Sequence, residues 1–364
     1  MDFRLNPYQL TQIDLVNTTP WNIQKTNAPI FRAFAKNISP VVAVIDTGID
    51  LNHQEFAGRI YKPRTFDGTP MSDSVGHGTH VAGTIAGKTV GMFPNARIMP
   101  LKVNFGSNQT HIQIWDAFLA IMDHNKECAD EDKVVVVNCS FSGPPDAFIN
   151  YYIRTLVSSG VTVVVAAGNN GDGNPNTEEP FSYPGFIYEV ITTGALDQQN
   201  TPTGFSSSYD GIDISAPGAD VISAIPGGGF GAMSGTSMAA PHVAGAVLLL
   251  KAAFRYKHKR WPTTEETEEI LWECVKPLSF DEKLIGRGML FLPHVISSQE
   301  KRVFLVPPKI DGGRTTLPVR DVGELFDFNV DWDANLRMVT IEKLKKRATM
   351  FIDKIEYLVE KSLL

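Results

Sequence analysis

The sequence predicts an α/β fold with a doubly wound parallel sheet, followed by a small C-terminal α+β domain. Short apolar runs are nearly continuous rather than alternating, as in strands that are covered on both faces. These runs alternate with segments whose apolar residues recur at helical spacing, which favours parallel strands joined by helices. The length of 364 residues leaves room for one large domain and a smaller one.

The predicted elements follow in chain order. Strands are expected at residues 41–45, 96–103, 134–138, 161–167 and 189–194. Helical spacing is shown by Trp115, Phe118, Leu119 and Met122, and by Ile149, Ile153, Leu156 and Val157. A further helix is expected from Ser237 to about residue 256. Functional sites of such folds lie at the carboxyl ends of the strands. Asp46 and Asn169 each follow a predicted strand and are therefore candidate site residues.

Four segments are expected along the chain. They are an N-terminal extension at residues 1–20, the large domain at 21–298, a small α+β domain at 303–342 and a C-terminal helix at 343–364. The helix is predicted because Phe351, Ile355, Leu358 and Val359 recur at helical spacing. A domain of this small size is expected to dock on the large domain or on a second copy, so the chain could form a homo-oligomer.

Composition argues against several kinds of partner. Acidic residues number 40 against 33 basic ones, a formal net charge of −7, so we expect no nucleic-acid partner. The N-terminus lacks the pattern of a secretory signal, and the apolar run at residues 243–250 is too short to span a bilayer. The three cysteines are widely spaced, as expected for free thiols in a reducing compartment. We therefore expect a cytoplasmic protein with no membrane partner.

The stretch Gly-Thr-Ser-Met-Ala-Ala-Pro-His-Val-Ala-Gly at residues 235–245 contains a candidate nucleophile, Ser237. A serine between a Gly-rich approach and a small-residue helical run can expose its hydroxyl at a helix N-terminus. Serine alone is a poor nucleophile, so it needs a histidine to take its proton and a carboxylate to orient that histidine. His77, in Gly-His-Gly-Thr-His, and Asp46, in Asp-Thr-Gly, are the candidates for these roles.

These three blocks, in the order Asp, His and Ser, resemble the subtilisin family of serine peptidases. A fourth block, Gly-Asn-Asn-Gly at residues 168–171, agrees with the resemblance. The resemblance implies an intracellular bacterial serine endopeptidase that acts on proteins or peptides and requires no organic cofactor. It also implies a triad of Asp46, His77 and Ser237, with the side-chain amide of Asn169 binding the oxyanion.

The resemblance further implies a substrate groove with two edges. In the family, the segment equivalent to residues 140–143 pairs with the substrate backbone and walls the main specificity pocket. The opposite edge is expected as a strand at residues 105–108. The expected substrate-binding residues are Gly106, Ser107, Ser140, Phe141, Ser142, Gly143 and Gly168. Ser142 and Ser182 occupy positions where the family usually has glycine, so its substrate preference cannot be transferred to this chain.

Residues Leu5, Asn6, Pro7 and Tyr8 resemble the Leu-Ile-Pro-Tyr element of intracellular subtilisins. In those proteins a short N-terminal extension lies across the active site as an inhibitor, which implies synthesis as a zymogen. Proline suits this role because it removes a backbone N–H and fixes φ, so the bond that would be cut is misaligned. The alternative is that this segment is a frayed tail.

Metal binding is expected to be weak at most. Between Gly87 and Gly91 the chain lacks the Asn-rich calcium loop of many secreted relatives, although carbonyls at residues 185–190 could form a weaker cation site. Residues 314–320 and 330–333 resemble the small N-terminal domain of copper amine oxidases. Copper is not expected there, because no histidine follows His294.

Three other interpretations compete with this assignment. Asp46-Thr47-Gly48 is also the motif of aspartic peptidases, but that mechanism needs two such motifs and the chain has one. His77 and His80 could bind a metal, although their spacing is not that of zinc peptidases, and His80 and His242 are expected to be structural. The third is a protein that holds peptides in the groove without cutting them.

Overall fold

The computed structural model describes residues 3, 11–13, 19–35, 37–177 and 182–292, together with seven strands beyond residue 292. The chain divides into two compact units, Met1–Leu292 and Pro293–Leu364. The predicted inhibitory residues Leu5, Asn6, Pro7 and Tyr8 lie outside the described residues.

The strands of the first unit are β1 (Thr11–Ile13), β2 (Val41–Asp46), β3 (Arg64–Thr65), β4 (Arg97–Lys102), β5 (Val134–Cys139), β6 (Thr162–Ala166), β7 (Ile191–Leu196), β8 (Ile214–Pro217), β9 (Val221–Ile225), β10 (Gly229–Met233), β11 (Val275–Lys276) and β12 (Met289–Leu290). Its helices are α1 (Trp21–Lys25), α2 (Ala28–Phe31), α3 (His77–Ala86), α4 (Thr110–Glu127), α5 (Ala147–Ser158), α6 (Thr236–His258), α7 (Thr264–Trp272) and α8 (Glu282–Ile285). Short 3-10 turns cover Arg32–Ala35, Gln54–Phe56 and Asp130–Asp132.

Nine strands form the central sheet, in the order β11-β12-β8-β7-β6-β5-β2-β4-β3. Every pairing from β12 to β3 is parallel, and only β11 is antiparallel to its neighbour. The predicted doubly wound α/β fold is therefore confirmed. The five predicted strands correspond to β2, β4, β5, β6 and β7, with ends that differ by one or two residues.

Both faces of the sheet are covered, which explains why its strands read as continuous apolar runs. In β2, Val41, Ala43 and Ile45 pack in one cluster with apolar residues of α4 and α5. The side chains of a strand alternate between faces, so Val42 and Val44, which are equally buried, point to the other side. There α3 and α6 pack against the sheet.

Helix α6 runs through the middle of the first unit. Among the described residues it is the one helix whose length and apolar composition would suit a membrane span. However, 89% of its most apolar 18-residue stretch is buried inside the protein. The helix contacts β5, β6, β7 and β8 there. It is therefore the core helix of this unit, and its N-terminal end carries Ser237.

A second, three-stranded antiparallel sheet lies in the order β1-β10-β9. β9 and β10 form a hairpin, and β1 pairs with the other edge of β10, with Thr11 opposite Ala232 and Ile13 opposite Phe230. The N-terminal segment is thus joined to the strand that leads towards Ser237.

The second unit contains β13 (Val295–Ser298), β14 (Lys301–Phe304), β15 (Lys309–Asp311), β16 (Arg314–Thr316), β17 (Asn329–Asp333), β18 (Met338–Lys343) and β19 (Lys346–Phe351). The pairings β13-β14, β15-β16 and β17-β18-β19 are antiparallel. The prediction of a helix at 343–364 is wrong for Lys343, which ends β18, and for Lys346–Phe351, which form β19 and pair with β18. The helical spacing on which that prediction rested begins only at Phe351, and residues 352–364 lie outside the described residues.

Candidate active site

Asp46 and His77 meet at the carboxyl end of the sheet. Asp46 is the last residue of β2, and His77 is the first residue of α3. Nδ1 of His77 lies 2.8 Å from Oδ1 of Asp46, and both side chains are buried. A carboxylate only accepts hydrogen bonds, so the ring carries its proton on Nδ1. This fixes the tautomer in which Nε2 is the basic nitrogen.

A hydrogen-bonded bridge that the sequence analysis missed holds this pair together. The backbone N–H of Thr47 donates to Oδ1 of Asp46 at 2.7 Å, and its hydroxyl donates to Oδ1 of Asp73 at 2.8 Å. The other oxygen of Asp73 accepts from the backbone N–H and the hydroxyl of Thr79, at 2.8 and 2.7 Å. Asp73 therefore connects the loop after Asp46 to the first turn of α3. In the sequence, the signal for this role is the place of Asp73 four residues before His77.

Ser237 is the second residue of α6, so its N–H is among the first four of the helix, which lack an intrahelical acceptor. Its hydroxyl donates to the carbonyl of Ser140 at 3.0 Å, and the Ser140 hydroxyl donates to the Ser237 carbonyl at 2.9 Å. α6 packs against α3, the helix that begins at His77. The structure thus brings the helix of the candidate nucleophile to the helix of the candidate base.

Asn169 follows β6 and is oriented by Thr236, a residue that sequence reasoning did not single out. Oδ1 of Asn169 accepts from the backbone N–H of Thr236 at 2.9 Å and from its hydroxyl at 2.8 Å. The Thr236 hydroxyl also accepts from the N–H of Gly168 at 3.1 Å. With Oδ1 engaged, the Nδ2 amide is the end that can donate to a ligand. It lies near Gly235, where an added Cβ would come within 3.0 Å of it.

The segment from Ser140 to Gly143 forms one side of the expected groove. Phe141 is fully buried in the core, whereas Ser142 and Gly143 are half-buried. Gly143 pairs with Tyr183 through two backbone bonds of 2.8 and 3.1 Å. This side is therefore held in extended form beside Ser237.

The predicted opposite edge strand is wrong, because Gly106 and Ser107 lie in a turn that leads into α4. The side-chain oxygen of Asn104 accepts from the N–H of Gly106 at 2.9 Å, and the backbone carbonyl of Asn104 accepts from the N–H of Ser107 at 3.3 Å. These local bonds to an Asn side chain and backbone compete with a strand ladder. An Asn two residues before a Gly is itself a turn signal in the sequence.

Gly168 and Ser182 lie together at the pocket expected beside Ser237. Gly168 has a φ of +108°, and an added Cβ would lie 2.9 Å from the hydroxyl oxygens of both Ser182 and Ser207. Ser182 is 4% exposed. The two serines therefore narrow the space around Gly168.

Phe3 lies against the groove wall. Its ring is 5.9 Å from that of Phe141, centroid to centroid, at an interplanar angle of 83°. The ring also covers Gly143, where any Cβ would overlap it. Phe3 is 2% exposed, so the N-terminal segment is packed on the protein at this point.

Two other buried histidines, His80 and His242, have structural partners. Burial lowers the pKa of His80 to about 3 and that of His242 to about 4, so both are neutral. Nε2 of His80 donates to the carbonyl of Val221 at 2.9 Å, and Nδ1 of His242 donates to that of Met238 at 2.8 Å. The part of the chain that the structure describes contains no group of three or more His, Cys, Asp or Glu suited to a metal. These contacts favour a structural role for His80 and His242 over a metal site formed by His77 and His80.

Thr192 links one of the carbonyls expected to hold a weak cation, that of Gly185, to the carboxylate of Asp213. Thr192 donates from its backbone N–H to Oδ2 of Asp213 at 2.8 Å and from its hydroxyl to the carbonyl of Gly185 at 2.8 Å. Burial raises the pKa of Asp213 to about 6. Oxygen ligands of this kind suit calcium.

Comparison with known proteins supports the interpretation of both units. Residues 37–276 match the sequence model of the subtilase family, and residues 296–363 match that of the copper amine oxidase N-terminal domain. The chain is 37% identical to an intracellular serine protease of Paenibacillus polymyxa, over 79% of this chain and 90% of the relative. It is also 37% identical to the major intracellular serine protease of Bacillus subtilis, over 80% and 93%. Subtilisin E of Bacillus subtilis is 33% identical over 71% and 66%.

Proposed function

The chain belongs to the subtilase family of serine endopeptidases, and we propose that Asp46, His77 and Ser237 are its catalytic triad. The observation that carries this assignment is the 2.8 Å bond from Nδ1 of His77 to Oδ1 of Asp46, on a helix packed against the helix of Ser237. Its substrates are proteins or peptides.

The proposed reaction begins when the Ser237 hydroxyl turns from the Ser140 carbonyl towards Nε2 of His77. His77 takes the proton as Ser237 attacks the peptide carbonyl, and the imidazolium is stabilised by Asp46. The same proton then passes to the leaving amine, which leaves an acyl group on Ser237. Water, activated by His77, hydrolyses the acyl-enzyme and restores the serine.

The oxyanion formed in each step would be bound by two donors at the start of α6. One is the N–H of Ser237, which the helix leaves without an intrahelical acceptor. The other is Nδ2 of Asn169, aimed by the two bonds that Thr236 makes to Oδ1. Donors fixed before the reaction stabilise developing charge without reorganisation.

The test is the activity of single variants on a peptide substrate. We expect Ser237→Ala and His77→Ala to lower kcat by at least about 10⁴-fold. Labelling by a fluorophosphonate, lost in Ser237→Ala, separates an active peptidase from a protein that only holds peptides. Activity retained by a clean Ser237→Ala preparation would overturn the mechanism.

We also propose that the N-terminal extension inhibits the enzyme until it is removed. Two contacts support this. Phe3 packs on Phe141 and Gly143, which belong to the groove wall, and β1 pairs with β10, the strand that precedes Ser237. A chain anchored on both of these elements would compete with a substrate for the groove.

The extension is tested by following intact mass and peptidase activity of freshly purified protein with time, beside Ser237→Ala. We expect only the wild type to lose its first fifteen to twenty residues, with activity rising as it does so. If both masses stay fixed while the wild type is fully active, the segment is not an inhibitor.

We propose that the enzyme acts in the bacterial cytoplasm, as the names of its intracellular relatives suggest. Its three cysteines are free thiols, and burial raises the pKa of Cys139 and Cys274. Fractionation of the native host, with detection of the chain by antibody, tests the location.

Calcium is proposed as a weak stabiliser rather than a catalyst. The carbonyls of residues 185–190, with Asp213, would hold it, and none of these residues belongs to the proposed triad. We expect millimolar calcium to raise the Tm of the Ser237→Ala chain, and Asp213→Asn to abolish that rise. An equal rise in both proteins would place the ion elsewhere.

Self-association through the second unit is likewise a proposal, supported by the small size of that unit. Light scattering of the full Ser237→Ala chain across a dilution series tests it. A monomer mass at every concentration would contradict it.

A further inference from the structure

The backbone carbonyl of Ser237 lacks the donor that a regular helix would give it. In an α-helix each carbonyl accepts from the N–H four residues later. The residue four positions after Ser237 is Pro241, which lies inside α6 and has no N–H. A proline ring also crowds the carbonyl four residues before it. The Ser237 carbonyl is therefore free to accept from a donor outside the helix.

Ser140 supplies that donor from the groove wall. Its hydroxyl oxygen lies 2.9 Å from the Ser237 carbonyl and 2.9 Å from Nδ2 of Asn138. An amide nitrogen only donates, so the Ser140 oxygen accepts from Asn138 and its single proton points to the Ser237 carbonyl. Asn138 and Ser140 are both 0% exposed, so these bonds are made away from solvent. The direction of the Ser140 hydroxyl is thus fixed.

Asn138 is a rigid base for this arrangement. It lies in β5, where it is opposite Val44 of β2 on one side and Val164 of β6 on the other. A residue in the interior of a sheet cannot shift without distorting two strand pairings. The bonds from Asn138 to Ser140 and from Ser140 to Ser237 therefore hold the first turn of α6 at a set place relative to the sheet.

A second hydrogen bond between the two serines runs in the opposite direction. The Ser237 hydroxyl donates to the Ser140 carbonyl at 3.0 Å, so the two residues exchange two bonds. Ser140 therefore contacts both the backbone of Ser237 and the hydroxyl that would attack the substrate. Such geometry matters for rate, because a displacement of about 1 Å can cost about 100-fold.

We propose that Ser140 is a positioning residue, whose hydroxyl holds the nucleophile's turn of α6 against the groove wall. Asn138 orients this hydroxyl, and Pro241 leaves the Ser237 carbonyl free to receive it. The proposal rests on the proposed function, because it requires Ser237 to be the nucleophile. It concerns the side chain of Ser140 and is separate from the pairing of its backbone with substrate.

The test separates positioning from mere satisfaction of the carbonyl. Ser140→Ala removes the outside donor, and Pro241→Ala gives α6 an N–H four residues after Ser237. If the hydroxyl only satisfies the carbonyl, this N–H replaces it, and the double variant regains both stability and activity. If the hydroxyl ties the helix to the wall, the N–H restores stability but not activity.

We expect Ser140→Ala to lower kcat about 10-fold with little change in KM, both in the wild-type chain and in Pro241→Ala. Ser140→Ala should lower the Tm by about 2–4 °C in the wild-type chain, and by less than about 1 °C in Pro241→Ala. The Tm values are measured with Ser237→Ala added, which prevents self-digestion and keeps the backbone carbonyl. An unchanged kcat in either background, or a change in KM alone, would overturn the proposal.

Asn138→Leu repeats the test if the Pro241→Ala proteins do not fold. Leucine has a similar size but no donor, so the Ser140 hydroxyl would lose its orientation. We expect kcat to fall about 3-fold while Ser140 is present, with little further loss beside Ser140→Ala. Equal losses in the two backgrounds would contradict the proposed arrangement.

Thr26→Val is the control for loss of a buried hydroxyl. Thr26 is 0% exposed and donates to the carbonyl of Ile23 at 2.8 Å, and its variant should keep the kcat of wild type. The proposed function is tested separately by Ser237→Ala. Activity retained by that variant would refute the triad, whereas unchanged kcat in Ser140→Ala would refute only the positioning role.

Discussion

Lys251 should destabilise the fold in a pH-dependent way. It lies within α6 with 0% exposure, and its ammonium donates to the carbonyl of Gly160 at 2.8 Å. Burial lowers the pKa of Lys251 from 10.5 to about 7. A shift of that size corresponds to about 5 kcal/mol against the charged form. We expect Lys251→Met, which keeps the length of the side chain without its charge, to remove this cost.

The direction with pH follows from proton binding. Between pH 7 and 10.5 the unfolded chain holds the Lys251 proton and the folded chain does not, so wild-type stability rises with pH across that window. The full cost is present below pH 7. Lys251→Met also leaves the Gly160 carbonyl without its donor, which costs about 1–3 kcal/mol. The net gain should therefore be about 2–4 kcal/mol at pH 6, and near pH 10.5 the variant should be the less stable protein.

The measurement is the free energy of unfolding in urea at pH 6, 8 and 10, in a Ser237→Ala background that prevents self-digestion. Lys257→Met, an exposed position on the same helix, is the matched control and should change stability by less than about 0.5 kcal/mol at every pH. A gain that does not depend on pH, or a variant less stable than wild type at pH 6, would refute the reasoning.

Three further predictions concern the active site. Asn169→Ala should lower kcat by about 10²–10³-fold with little change in KM. This magnitude is the one known for subtilisin and is not worked out from this geometry. A change in KM alone would contradict the oxyanion role. Asp73→Asn should lower kcat by about 10- to 100-fold, because the hydrogen bonds that join Thr47 to Thr79 through Asp73 would no longer hold α3 in place. Steady-state kinetics that match wild type would show that this bridge is dispensable. Peroxide should inactivate the enzyme by forming the sulfoxide of Met238, the residue after Ser237. The Met238→Leu variant should keep its activity in peroxide. Full activity of the wild type after verified oxidation of Met238 would contradict the prediction.

The sequence was sufficient for the sheet, and for the places of Asp46 at the end of a strand and Ser237 at the start of a helix, because all of these depend on local signals. A continuous apolar run such as Val134–Cys139 requires burial on both faces, and Asp46 follows directly from its place after such a run. The helix of Ser237 was predicted for a similar reason. These inferences need only the order of residues along one element.

The features that were missed are contacts between distant segments. Thr236 orients Asn169 across 67 positions, and the carbonyl partner of Lys251 is 91 positions away. β1 has no apolar alternation and becomes a strand only because the edge of β10 accepts it. No local pattern encodes such a pairing.

The same distinction explains why the errors fell where they did. Residues 105–108 were expected to form a strand by analogy with the family, yet Asn104 closes them into a turn with its own side chain and carbonyl. Local chemistry therefore overrode an expectation based on resemblance. At β10 the reverse holds. The carbonyls of Gly229 and Gly231 accept hydrogen bonds from His53 and His80, and the strand held in this way imposes strand structure on β1, a segment with little preference of its own.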